Sequence, residues 1–589
     1  MERSEQRIED TWDLSALSES PEKWQKSMKA LRKRLKEAQS FKGHLSDSSD
    51  SLYSAMCYLR DVYMELEKLG SWAFLCYAAD SSNAEVQMRA GLSEQLNSEF
   101  SEKLSYFDPE LMAIPEEMIS SCLKEPRFRE FRVYIRKSRR YREHILSEKE
   151  ERILSLYSPV SSSPSDAFDD LNDIDLDFGS VNGEKLTHAT YARFIRSEDE
   201  SIRKEAYSRL YGEYDRHQHV IARLYGASVK NDIFISKARG FRSSLEKALF
   251  PDKVPESVYT SLIRSVHDAF PALHRYYELK ARMLGKEKLR HYDAYMPMAR
   301  PVKSAHSYRE AVDIITEAVK PLGDEYTSVL RKGLLDDRWV DRYENKGKTS
   351  GAFSAGGYIG NPYILTNFQD EVLDSVFTLI HEGGHSMHSY YSARNNPFMC
   401  YSYTIFEAEV ASTFNECLLS EYLIAHSGSK EEEAYLVAKR LDDVVATLFR
   451  QTMFAEFELI IHQEAEKGTP VTIDMLRKTY RRLLEEYFGP IMEFEPESDL
   501  ECLRIPHFYR AFYCYKYSTG ISAAMALSER VLRGGDKERD DYLSFLRSGG
   551  SGYPIDSLRK AGVDMRTPEP VRKATEKFSG LLDRFESLI

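Results

Sequence analysis

The segment TLIHEGGHSMHSYY, residues 378–391, sets His381, Glu382 and His385 within five consecutive positions of a stretch that otherwise reads as helix. On a helix, positions i and i+4 share one face about 40° apart, so two imidazoles can aim at a common point. Glu382 projects from the adjacent side, where it reaches a water at that point rather than the point itself. This is the H-E-x-x-H pattern, in which two histidines hold zinc and the glutamate serves as general base in peptide hydrolysis. Gly383 and Gly384 cost ~1 kcal/mol each relative to alanine inside a helix. Two such residues are expected where a backbone or a substrate must approach closely.

A third protein ligand is expected on another element. The extended pattern H-E-x-x-H-x-x-G-x-x-H would need glycine at His388 and histidine at Tyr391, so that class is excluded. Downstream, FEAEVASTFNEC (406–417) reads as a second amphipathic helix with three glutamates. Glu409 and Glu416 share a face with Thr413, whereas Glu407 points to the opposite side and is read as a solvated charge. With the shared face toward the metal, Glu409 is the third ligand. Glu416 is then either a partner behind the ligands or a plain structural carboxylate. His388, nearly two turns from His381, is expected to touch the substrate or the residues behind the ligands. One zinc ion per chain follows.

The chain has 589 residues, too many for one compact core. It is 42% hydrophobic and 30% charged with a net charge of −13. No basic stripe with interleaved aromatics is present, so nucleic acid is not an expected partner. The acidic balance disfavours anionic membranes, and no apolar run approaches the ~18 residues of a membrane span. The opening MERSEQRIEDTWDLSAL lacks the apolar core of a signal peptide. Seven scattered cysteines without a C-x-x-C fit reduced thiols, so a cytoplasmic location is expected.

Helical periodicity dominates. Residues 21–42 open on a cap-like Ser-Pro-Glu and put Trp24, Met28, Leu31 and Leu35 on one face. Residues 51–80, 85–107 and 115–157 continue as helix, whereas SPVSSSPSDAFDD (158–170) reads as a loop. Ile174, Leu176 and Phe178 then alternate with acidic residues before an Asn182-Gly183 hairpin turn. Helices resume from about 190 to about 335. GKTSGAFSAGGYIGNPYILTNF (347–368) reads as a strand or two with sharp turns, and helix returns from about 370 to the end. The expectation is a mainly α protein with a small β-sheet near the zinc helix. It is divided into an N-terminal helical domain, 1–195, and a catalytic domain, 196–589.

RIPHFYRAFYCYKYS (504–518) holds one histidine and four tyrosines after a proline suited to start a helix. On a single helix Tyr509, Tyr513 and Tyr517 form a row, with Tyr515 on a different side. Such a row is an aromatic packing stripe or, beside a zinc peptidase site, a source of donors to an oxyanion.

Together HEGGHSMHSYY, then AEVASTFNE with 23 residues between His385 and Glu409, then PHFYRAFYCYKYSTG, closely resemble oligoendopeptidase F. That group is the bacterial branch of the thimet-oligopeptidase-like zinc metallopeptidases. The early TWDLSAL, KTSGAFSAGGY and the tail GGSGYPIDSLRKAGVDM extend the likeness over nearly the whole chain. The resemblance implies a two-lobed helical ellipsoid enclosing a deep channel, with zinc on its wall and short peptides as substrates. It matches His381 and His385 to the histidine ligands, Glu382 to the general base and Glu409 to the glutamate ligand. His507 and Tyr515 look like the donors to the substrate carbonyl and oxyanion. The spacing is shorter than in the thimet branch, which leaves Tyr509 and Tyr513 as rivals to Tyr515. Gly383 stands where most relatives carry a larger residue.

The expected activity is zinc-dependent endopeptidase action on short unstructured peptides. The Gly-rich segment 351–360, with Gly356, Gly357 and Tyr358, is expected to offer a strand edge to the peptide backbone. A dipeptidyl carboxypeptidase or carboxypeptidase on a related fold is the alternative. A peptide-binding protein with a degenerate site would have lost a ligand or the base, and all four residues are intact.

Overall fold

The protein is represented by a computed structural model that describes residues 1–302 and 305–589. Helices dominate, as the periodicity required. Those that matter below are α1 (Ser49–Ala79), α2 (Ala84–Lys103), α3 (Glu148–Asp170), α4 (Glu200–Ala238), α5 (Leu373–Asn395), α6 (Ile405–Ala425), α7 (Gln451–Glu466), α8 (Tyr515–Arg533) and α9 (Asp536–Ser548). Caps appear where the sequence supplies them. The Ser48 side chain accepts the Ser51 N–H at the start of α1, and Asn83 accepts from Glu85 and Val86 at the start of α2.

The Asn182-Gly183 turn forms as expected. It joins β1 (Ser180–Val181) to β2 (Glu184–Lys185) with φ of 51° and 80° at its two residues, the signature of a type I′ hairpin. Ahead of it, the alternation at 174–178 is not strand. Leu171–Asp175 forms a π-helical turn that leaves Ile174 in solvent. The segment 158–170 is not a loop either but the second half of α3, with Pro159 and Pro164 inside the helix. Most of that stretch is exposed, so water can serve the carbonyls that the prolines leave without a donor, and the Ser162 and Ser163 hydroxyls return to the Pro159 carbonyl.

A three-stranded sheet forms from β3 (Val340–Asp341), β4 (Phe353–Ala355) and β5 (Tyr363–Leu365), in the order β3-β5-β4. β3 runs parallel to β5 and β4 antiparallel to it, with Ser354 opposite Ile364. β4 is therefore an edge strand. Trp12, from the TWDLSAL segment, packs its ring against Tyr363 at 6.3 Å and Phe353 at 6.5 Å.

Contacts divide the chain into two compact units, each assembled from three separate segments rather than one contiguous stretch. The first comprises Met1–Ile145, Lys303–Leu423 and Leu527–Val563; the second comprises Leu146–Val302, Ile424–Ala526 and Asp564–Ile589. The core of the first unit includes Trp24, stacked on Trp72 at 5.7 Å with its indole N–H on the Leu69 carbonyl. The three-stranded sheet also belongs to the first unit.

Beside β3 lies a charged knot. Asp341 accepts from Arg3 at 2.8 Å and pairs with Lys348 at 2.8 Å, and the Lys348 side chain is wholly buried. Removing one partner of a buried pair leaves the other charge uncompensated, at about 3–5 kcal/mol. Asp341→Ala should therefore lower the melting temperature by several degrees in a thermal scan. Asp341→Leu combined with Lys348→Met should recover most of the loss, and an unchanged melting temperature in the single variant would refute this account.

Candidate metal centre

α5 carries the H-E-x-x-H segment and is held from two sides within the first unit. On one side the Ser386 hydroxyl lies 2.8 Å from that of Ser354 on β4 and 3.1 Å from the Pro362 carbonyl that it donates to. On the other side α6 presses close. A Cβ on Gly384 would lie 2.7 Å from the Ala411 carbonyl oxygen and 2.7 Å from the Ser412 Cα, distances that backbone atoms do not permit. A Cβ on Gly383 would meet only the Leu330 side chain, at 3.1 Å. Of the two helix-weakening glycines, Gly384 is thus the one demanded by a backbone, and that backbone is α6.

The close approach delivers two α6 carboxylates to one imidazole. His381 Nε2 lies 3.8 Å from Glu409, and His381 Nδ1 lies 2.6 Å from Glu416. The rings of His381 and His385 stand 4.8 Å apart at 82°. One donor atom each from His381, His385 and Glu409 lie within 4.8 Å of one another, so the three residues expected as ligands come together. Glu416, left open by the sequence, sits behind His381 on the nitrogen remote from Glu409. A carboxylate there fixes the ring orientation and keeps Nε2 free of its proton when a cation is held.

The electrostatics ask for a cation. Burial raises the Glu382 carboxyl to about 7, with Glu409 and Glu416 adding to the rise. Burial likewise raises Glu409. Burial pulls His381 down, but Glu416 chiefly, with Glu382 and Glu409, outweighs it and lifts the ring to about 9. Burial, with His381 and His388 nearby, holds His385 well below its usual range. Without a metal, three carboxylates draw a proton onto His381. Two imidazoles and a carboxylate around one point are the donor set that a divalent transition ion takes, so the residues fit such an ion. Glu382 is 7% exposed, and the nearby Ser354 backbone N–H opposes the rise of its carboxyl.

Other expected residues sit differently. Glu407 is not a solvated charge. It is 1% exposed and accepts the Thr404 backbone N–H at 3.3 Å. Thr404-x-x-Glu407 is the capping-box pattern, a signal present in the sequence. His388 is buried and stacked on Tyr403, ring centroids 3.6 Å apart at 10°, and burial drops it to about 3. It offers no surface to a peptide; it backs Tyr403, whose hydroxyl donates to the His385 carbonyl at 3.3 Å. Gly356 is pressed against α5, where a Cβ would lie 2.2 Å from that of Ser389. Gly357 abuts the Glu67 carboxylate, and the Tyr358 N–H donates to Glu67 at 2.7 Å. Glu67, from α1, also accepts the Tyr401 hydroxyl. Neither Glu67 nor Tyr401 belongs to a motif, and sequence reading missed both.

The His507 cluster belongs to the second unit. Residues 504–518 are not one helix. Pro506–Tyr509 makes a 3₁₀ turn, Phe512 takes φ of 57° with its N–H on the Glu458 carboxyl at 2.9 Å, and α8 starts only at Tyr515. The interruption shifts the helical phase. His507 gathers Tyr513 and Tyr517, both with ring centroids 5.9 Å away, and these two rings are 5.4 Å apart. Tyr515 turns inward against Tyr259 at 5.1 Å and is fully buried. Tyr509 stacks on Phe168 at 4.5 Å. Burial, aided by Arg510, lowers His507, which keeps its ring neutral with one N–H to donate.

A sequence profile described as Peptidase family M3 matches residues 193–577. The chain belongs to peptidase family M3. A second profile, described as Oligopeptidase F, matches residues 110–178. An "Oligoendopeptidase F homolog" of Borreliella burgdorferi is 40% identical over 586 residues, covering 100% of this chain and 99% of that one. "Oligopeptidase PepF" of Bacillus subtilis is 39% identical over 596 residues, covering 100% and 88%. The crystal structure of oligoendopeptidase-F from Enterococcus faecium superposes with a TM-score of 0.76 at 33% identity, covering 96% of this chain and 99% of that one. Family membership makes the protein a peptidase, on the oligoendopeptidase F side of M3.

In this M3 peptidase the α5–α6 contact is what joins the donor atoms. Gly384→Ala must push α6 away and should sharply reduce the protein's capacity to bind a divalent transition metal, measured by elemental analysis after loading. Gly383→Ala asks only a leucine side chain to shift, and should keep that capacity. Equal metal content in the two variants would show that the backbone contact does not set the site.

Proposed function

We propose that the protein is a zinc-dependent endopeptidase of short unstructured peptides. The observation that carries this is the convergence of His381, His385 and Glu409, with Glu382 beside them and Glu416 behind His381. His381, His385 and Glu409 would hold the ion. A zinc ion there supplies Lewis acidity, polarising a carbonyl and lowering the pKa of water towards ~7.

Glu382 takes the proton from the attacking water and passes it to the leaving amine. Its burial suits that role, because a carboxyl raised to about 7 can both accept and return a proton near neutrality. Glu416 holds the His381 ring by Nδ1. The N–H and C=O of one strand residue point the same way. With its N–H facing Glu382, Ser354 turns its carbonyl outward from the edge of β4, where an extended peptide N–H can dock. His507 is proposed as a donor to the substrate, with Tyr513 and Tyr517 as the hydroxyls beside it. Tyr515, fully buried, is replaced in that role.

No helix among the described residues is long and apolar enough to cross a membrane, and the seven cysteines form no disulfide among them. These support the proposed cytoplasmic setting.

Activity on a quenched peptide should vanish with a chelator and return with zinc. Glu382→Gln should keep its zinc and lose several orders of magnitude in kcat, whereas Glu409→Ala should lose metal affinity. Full activity in metal-stripped protein would overturn the proposal. Peptides blocked at both ends should still be cut; failure there would favour a carboxypeptidase.

An oxyanion donor acts in the transition state, so its loss should lower kcat and kcat/KM together by about a hundredfold or more. Tyr513→Phe or Tyr517→Phe should show that loss with normal zinc content and melting temperature. Tyr515→Phe should leave kcat nearly unchanged. A severe kcat defect in Tyr515→Phe alone would reverse the assignment.

A further inference from the structure

Within the first unit, α1, α2 and the segment 398–402 enclose a cleft of about 680 Å³, the size of a small-ligand site. Its walls are aromatic, with Tyr63, Phe74, Tyr134 and Tyr401 among them, and two carboxylates, Glu67 and Glu94, line it. No lysine or arginine is among the lining residues.

Glu67 is the unusual member. Its carboxylate is held by two neutral donors, the Tyr358 N–H and the Tyr401 hydroxyl, and pairs with no cation among the described residues. Burial raises it above the usual carboxylate range. A half-buried carboxylate without a cation is costly unless something supplies the charge. Aromatic faces around such a group favour a cation as well. Phe74 and Tyr63 remain 49% and 37% exposed, so the walls are open to a ligand.

We propose that this cleft binds a cationic group carried by a peptide substrate, held by Glu67 and the surrounding rings. The assignment rests on the peptidase reading. Its chemistry fits either a protonated amino terminus or a lysine or arginine side chain. Glu67 also anchors Tyr358, which follows the edge strand β4, and Tyr401, which precedes α6. Occupancy of the cleft would therefore register next to the elements that flank the metal centre.

The test is binding of three matched peptides to Glu382→Gln protein, which should hold them without cutting. One carries a free amino terminus and a lysine, one is acetylated, and one has norleucine in place of lysine. One of the neutralised peptides should bind about tenfold more weakly than its parent, and which one it is identifies the source of the charge. Adding Glu67→Gln, which keeps the side-chain shape but not the charge, should reduce that discrimination to about twofold or less. Phe74→Ala, which leaves both Glu67 hydrogen bonds in place, should reduce it as well. Equal affinity for all three peptides would overturn the proposal. So would a Glu67→Gln effect of the same size on charged and neutral peptides, since that would mark a purely structural role. If wild-type protein cleaved none of the peptides yet bound them with this charge preference, the cleft assignment would stand and the peptidase reading would fall.

Discussion

Everything chemical in this protein depends on how closely two helix backbones can approach. Helices usually pack with axes 8–10 Å apart, kept there by side chains. At Gly384 there is no side chain, and the α6 backbone at Ala411 and Ser412 fills the place where a Cβ would be. Only at that separation do Glu409 and Glu416 reach opposite nitrogens of one imidazole. The contact has an electrostatic consequence. It crowds three carboxylates around two histidines, and His381 responds by holding a proton to about pH 9 unless a cation takes its place. The packing of two helices thus creates the demand for a cation.

The opposite face of α5 is fixed by a different logic. The edge strand β4 is short, and its outward groups are met by side chains of the helix: Ser386 by the Ser354 hydroxyl, Glu382 by the Ser354 N–H. Gly356 then lets the chain lie flat on Ser389. The sheet positions Glu382 as firmly as α6 positions Glu409 and Glu416. It has to, because an acceptor-only carboxylate, 7% exposed, would otherwise lack donors to balance its burial.

What could be read from the sequence follows from how local each signal is. His381, His385 and Glu409 are legible because helical periodicity alone brings them to shared faces. The Asn182-Gly183 hairpin is legible because two positive φ angles need those residues. Glu407 escapes a reading by helix face alone, although Thr404 carries the capping signal three residues earlier. The 504–518 segment escapes for a less local reason. Its helix is interrupted by Glu458, a residue of α7 about fifty positions away, and no periodicity reports that. The same holds for Glu67, whose partners Tyr358 and Tyr401 lie some three hundred residues downstream. His388 looks like part of the motif's working face, yet its stack on Tyr403 depends on a loop that the helix pattern does not describe.

A common device links these cases. Glu382, Glu67 and Glu458 are buried or half-buried carboxyls raised by desolvation, and each faces a backbone N–H that no ladder uses: that of Ser354 on the open edge of β4, and those of Tyr358 and Phe512, which Glu67 and Glu458 accept. Backbone donors left over by an edge strand, a glycine turn or a positive-φ residue must find acceptors, since buried N–H groups are rarely left alone. A glutamate from a rigid helix supplies one at a fixed position. The helix carrying the carboxyl thereby sets the conformation of an irregular segment that it does not adjoin in sequence. At Glu382 burial raises the carboxyl and the facing N–H opposes the rise, leaving it poised near neutrality, where a group that takes up and returns a proton is most useful. An arrangement that satisfies a stray backbone donor and one that prepares a base are here a single contact.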